Sequence, residues 1–141
     1  MVAAGLRVCL ERYDLFYNPM PVVWGYRNVW FEFAPSDATI MIPCSVNDLQ
    51  LMHDVFMCCY TTQKAASFPS PYYDGPFSAW ARQLMLKQHI MVKKLLGDQY
   101  FEESTDPRIR KSSGFVFIKA MYADRFLKEV EELRSKFELT V

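Results

Sequence analysis

The sequence predicts an α+β fold, a small single domain with three to four helices. Three stretches carry that expectation. Phe77–Leu96 spaces its apolar residues like an amphipathic helix, Gly114–Ile118 is a short aromatic and β-branched run, and Tyr122–Phe137 returns to helical spacing. The chain is expected to divide into a helix/hairpin/helix region over 1–63, a Pro-rich connecting loop over 64–76, and a second half over 77–141.

At the N-terminus, Leu6, Cys9, Leu10, Tyr13, Phe16 and Tyr17 fall on a helical stripe, with Arg7 and Glu11 spaced for an ion pair. Leu6, Val8 and Leu10 also alternate like a strand; helix is preferred, ending at Asn18 ahead of Pro19 and Pro21. Val22–Trp24 and Val29–Phe33, joined by Gly25–Asn28, then predict an aromatic β-hairpin. Ala38–Ile42 reads as a further strand closed by Pro43. Ser45 and Asp48 form a capping-box pattern, and Leu49, Met52, Phe56 and Cys59 or Tyr60 make the stripe of the helix it starts.

The helix over Phe77–Leu96 organises the rest. Phe77, Trp80, Ala81, Leu84, Met85, Met91, Val92, Leu95 and Leu96 share one broad stripe. Pro76 suits the first helical position and Gly97 the stop. Leu86 and Ile90 form a second apolar spot on the opposite side. Burying each is worth about 1.5–3 kcal/mol, which predicts cover on both sides, from this chain or from a partner. A loop over Glu102–Ser113 holds Asp106–Pro107 and the basic residues Arg108, Arg110 and Lys111. Gly114–Ile118 follows as the strongest strand signal. In the last helix Tyr122, Phe126, Val130, Leu133 and Phe137 align, Asp124–Lys128 and Glu132–Lys136 support the wet face, and Phe137–Val141 can close as an edge strand.

Composition limits the function classes. Sixteen basic residues balance sixteen acidic ones, so no global field attracts nucleic acid or a membrane surface. No apolar run reaches the ~18–20 residues of a spanning helix. Yet the chain is 51% hydrophobic and 16% aromatic over 141 residues. That exceeds what one core of this size needs and matches the enrichment of aromatics at protein interfaces. Net charge near zero with so apolar a surface also favours life inside an assembly.

Cys9, Cys44, Cys58 and Cys59 have no secretory signal ahead of them, since Arg7, Glu11, Arg12 and Asp14 interrupt any apolar leader. They are expected reduced and mostly buried, in an intracellular, reducing compartment. The acids also make the N-terminus a poor organelle transit peptide.

Catalytic and metal patterns are weak. Zinc sites use Cys or His pairs two to four residues apart. Here Cys58 and Cys59 are adjacent, His53 is five residues before Cys58, and His89 is distant. His53–Asp54 faces two ways on a helix and makes no dyad by itself. GxSxG, phosphate-cradling and dinucleotide motifs are missing. No enzyme activity, metal or cofactor is expected.

Lys111–Ile118, KSSGFVFI, is similar to the octamer of RNA-recognition motifs at Lys111, Gly114, Phe115 and Val116, while Ser113 and Ile118 depart from it. With the order helix, strand, strand, helix, strand from Phe77 onward, this implies a ferredoxin-like C-terminal half able to touch RNA. Gly114–Val141 resembles the closing strand–helix–strand of the sixth small-subunit ribosomal protein family of bacteria, a ferredoxin-like sandwich without catalytic residues. Leu84–Met91 and Tyr122–Val130 are similar to the two later helices of the seventh, matrix-side subunit of the cytochrome bc1 complex, with Phe16–Asn18 echoing its start. That family holds no redox centre and is nearly all helical, so Ser104–Lys119 would be an insertion.

The reading that unites these features is a non-catalytic structural or accessory subunit of a large intracellular assembly, with a mitochondrial, respiratory-chain type of complex as host. Its expected contacts with other subunits are Trp24, Trp30, Phe31, Leu86 and Ile90, because aromatic and aliphatic anchors dominate such surfaces. The alternative is an RNA-contacting module using Arg108, Arg110, Lys111 and Phe115.

Overall fold

A computed structural model describes residues 2–12, 19–27, 29 and 32–138. Among them the chain is α+β, as expected, with more helices than the sequence suggested. The order is α1 (Val2–Glu11), β1 (Val22–Tyr26), β2 (Ile40–Cys44), α2 (Val46–Cys59), a 3₁₀ turn (Thr61–Gln63), α3 (Phe77–Leu96), α4 (Asp98–Glu102), α5 (Pro107–Arg110), β3 (Gly114–Tyr122) and α6 (Ala123–Glu138). The strand order is β1-β3-β2, and β2 runs antiparallel to β3 with Ile40 opposite Ile118 and Cys44 opposite Gly114.

The chain separates into two compact units, 1–25 with 120–141 and 26–119. In the first, α1 packs on α6, where Arg7 pairs with Glu131, and the Ala123 amide donates to the Pro21 carbonyl at 2.9 Å. The helical reading of the N-terminus holds through Glu11; Tyr13–Asn18 lie outside the described residues. In the second unit, Val92, Phe101, Phe115 and Phe117 form the core, with Phe33, Ala38, Met41 and Ile109 packed against them.

Local chemistry explains the helix ends. Ser45 caps α2: its hydroxyl accepts from the Asp48 amide at 3.2 Å, and the Asp48 carboxylate accepts from the Ser45 amide at 2.8 Å. Gly97 ends α3 at φ 83°, a conformation that costs glycine little. Pro76 stands at the N-cap rather than inside the helix, with extended backbone. Residues 64–76 form an ordered clasp. The Phe68 amide bonds the Gly75 carbonyl at 2.8 Å, Ser67 donates to Asp74 at 2.7 Å, and Phe68 stacks on Trp80. A Cβ at Gly75 would stand 2.5 Å from the Tyr73 hydroxyl and 2.8 Å from its ring, so the tyrosine would have to shift to admit one.

Four expectations are corrected. Among the described residues the aromatic hairpin is not seen: Gly25 and Tyr26 continue β1, whose hydrogen-bonded neighbour is β3, and 29 and 32–34 hold no strand, while Asn28, Trp30 and Phe31 lie outside the described residues. The C-terminal half is not helix–strand–strand–helix–strand, because β3 is the one strand described after α3, and α6 continues through Phe137 to Glu138. Pro43 does not close β2 but lies inside it, which an edge strand tolerates. The loop over Glu102–Ser113 holds α5, capped by Asp106, whose carboxylate accepts from the Arg108 amide at 2.8 Å, with Pro107 in the first turn.

Candidate functional site

The most developed surface of the second unit is the layer formed by α2 and α3. Leu49 of α2 and Met85 of α3 meet over Gly114, where an added Cβ would stand 3.1 Å from a Leu49 methyl and 3.3 Å from the Met85 Cβ. Both helices therefore cover the same side of the strand at that point. On α3 the buried line is Leu84, Gln88, Val92, a strict four-residue step that runs through a polar residue. Leu95 and Leu96, assigned to the stripe from sequence, stand exposed at the C-terminal turn.

Between the helices lies a cavity of about 270 Å³, walled mainly by Leu49, Met52, Phe56, Ala81, Met85 and Val116. Polar bridges close its rim. Ser78 Oγ and His53 Nδ1 are 2.9 Å apart, Arg82 donates to Gln50 Oε1 at 3.1 Å, and Gln50 donates on to Asp54 Oδ1 at 2.9 Å. His53 is therefore half-buried and joined to α3, not a plain surface residue. Among the described residues no three or more His, Cys, Asp or Glu side chains gather where they could hold a metal ion.

The outward sides of the same helices are apolar. On α2, Leu51 is 61% exposed, and Val55, Cys58 and Cys59 stand exposed beside it at helical spacing. This stripe lies opposite Leu49, so α2 is apolar front and back. On α3, Ile90 is 53% exposed and Leu86 half-buried. The chain does not cover Ile90. The charges on the two helices are opposite in sign: α2 carries Asp48 and Asp54 with no Lys or Arg, whereas α3 carries Arg82, Lys87, Lys93 and Lys94 with no Asp or Glu.

In the first unit, Trp24 is 62% exposed on β1. Trp30 and Phe31 lie outside the described residues. The four cysteines are free thiols, but only Cys44 is buried, where burial and the neighbouring Asp48 charge push its pKa up. Cys9, Cys58 and Cys59 are exposed, contrary to the expectation that most would be buried.

Of the residues expected to touch RNA, Arg108 and Lys111 line one cavity and Arg108 and Phe115 another. Phe115 is 5% exposed, stacked on His89 and tilted against Phe101, so its ring offers no platform to a base. Arg108 returns to Asp106 at 3.0 Å, which raises its pKa and lowers that of Asp106, and Arg110 donates to the Ser104 carbonyl. Lys111 is exposed and lines a shallow cavity with Ser45, Asp48 and Arg108.

His89 is the titratable group with a consequence for stability. Its Nε2 lies 3.2 Å from Ser112 Oγ, which itself donates to the Ile109 carbonyl at 2.7 Å, so the imidazole is the donor in this pair. Burial lowers the His89 pKa and nearby Lys93 adds to the effect, while a hydrogen bond to the Ser112 backbone opposes them. A depressed histidine pKa means that the unfolded chain takes up the proton first. Stability is then full above about pH 6.5 and falls as pH drops through the unfolded value toward the folded one. Denaturant midpoints between pH 7.5 and 5.5 are expected to decline, and His89→Phe should flatten that decline.

No helix among the described residues is long and apolar enough to cross a membrane. The chain matches no protein-family model, no curated protein and no solved structure. The three short resemblances in the sequence therefore rest on their own residues.

Proposed function

We propose that this chain is a non-catalytic structural subunit of a large intracellular protein assembly, with a mitochondrial complex of the respiratory-chain type as its host. The observation that carries the proposal is the apolar side chain left in water on ordered elements: Val22 and Trp24 on β1, Leu51 and Val55 on α2, and Ile90 on α3. Each aliphatic is already about half buried, so covering the rest would gain on the order of 1 kcal/mol. Exposed aromatics such as Trp24 are the kind of side chain that anchors interfaces. The four free thiols agree with a reducing compartment.

The test is isolation of the native protein from its own cells under gentle conditions. Other proteins should co-purify in fixed stoichiometry, and Trp24→Ala should weaken their retention by about 30-fold, the ~2 kcal/mol scale of a hot spot. A chain that emerges alone in every preparation overturns the proposal.

A further inference from the structure

We infer that the α2–α3 layer is the docking face for a second copy of this chain, with α2 of one copy laid on α3 of the other about a two-fold axis. The inference rests on the assembly reading above and assigns one of its surfaces. The two helices face the same way, because Leu49 and Met85 point inward over the same side of Gly114. Their outward sides are unlike in charge but alike in grease. α2 offers Leu51, Val55 and Cys58 beside Asp54, whereas α3 offers Leu86 and Ile90 beside Lys87 and Lys94.

A two-fold axis lying oblique to the helices brings α2 of each copy across α3 of the other, with Asp54 toward Lys94, and every contact then occurs twice. Placing α2 on α2 would set carboxylate against carboxylate, and α3 on α3 ammonium against ammonium, with no opposite charge on either helix to offset the repulsion. The crossed pairing is the one that satisfies both the apolar stripes and the charges. Present partners leave room for it: Asp54 accepts from the neutral Gln50, and Lys94 is exposed. Lys87 meets Glu32 at 2.8 Å while remaining 61% exposed.

Size sets the strength. Helices about 20 and 30 Å long and about 10 Å wide make a layer on the order of 500 Å² per copy. The total of about 1,000 Å² lies at the low end for specific interfaces, so a reversible dimer is expected rather than an obligate one. Val22 and Trp24 on β1 remain for other subunits.

Sedimentation equilibrium of the purified full chain, from about 1 to 100 μM, reads this directly. Wild type should be a monomer–dimer mixture whose dimer weakens as salt rises. Asp54→Lys and Lys94→Glu, both at exposed positions, should each weaken the dimer at least tenfold. The double variant should recover most of that loss, because the swapped charges face each other again. Circular dichroism checks that every variant is folded. A wild type that stays monomeric to 100 μM, or a double variant no better than the singles, overturns the inference. Failure here with partners still co-purifying from cells refutes the second copy alone. A dimer that co-purifies with nothing refutes the assembly reading alone.

Discussion

Phe117→Ala is expected to destabilise the protein by about 3–5 kcal/mol. Phe117 is 2% exposed on the central strand β3, opposite Met41 of β2, and belongs to the core with Val92, Phe101 and Phe115. Truncation removes the transfer energy of a whole ring and leaves a void among neighbours held by strand pairing, which cannot collapse to fill it. Domains of this size are stable by roughly 5–15 kcal/mol in total, so the variant should melt far earlier or fail to accumulate. Chemical denaturation against wild type checks the value. A loss under about 1 kcal/mol would mean that this core is not where the fold is held.

Leu49→Ala should cost about 2–5 kcal/mol for a related reason with a twist. Leu49 is 1% exposed and its methyls stand 3.1 and 3.2 Å from the point where a Gly114 Cβ would lie. Glycine at 114 is thus the reason a leucine fits between α2 and β3. In the wild-type background Gly114→Ala is overpacked and should cost about 1–3 kcal/mol. In the Leu49→Ala background the same methyl enters vacated space, so its cost should shrink or change sign. A double-mutant cycle by urea denaturation measures that coupling, which should exceed about 0.5 kcal/mol. Strictly additive losses would show that the two residues do not share one space.

What the sequence announced, and what it hid, divides by range. The Ser45–Asp48 box and the Gly97 stop are settled within three or four residues, so local chemistry sufficed. The same rules hold for Asp106–Pro107, a cap and first-turn proline set in a stretch whose composition reads as loop. The hairpin failed because β1 finds its partner in β3, nearly the whole chain away, and an adjacent aromatic run looked like the nearer mate. Gln88 was missed because hydropathy counts an amide as wet, whereas strict helical stepping from Leu84 to Val92 passes through it. Ile90 is legible because a helix wet on its outer side has no reason to be apolar there. The same reasoning applied to α2 yields Leu51, Val55 and Cys58, which the Leu49–Phe56 stripe obscured.

The proline inside β2 bears on how this molecule can join anything. A flanking strand that seeks to lengthen a sheet needs an unbroken ladder of amide hydrogens, and Pro43 removes a rung from a five-residue stretch. With α5 also lying against β2, growth of the ribbon from that flank is discouraged. Recruitment at that flank falls to side chains on helices, which are choosier than a bare backbone.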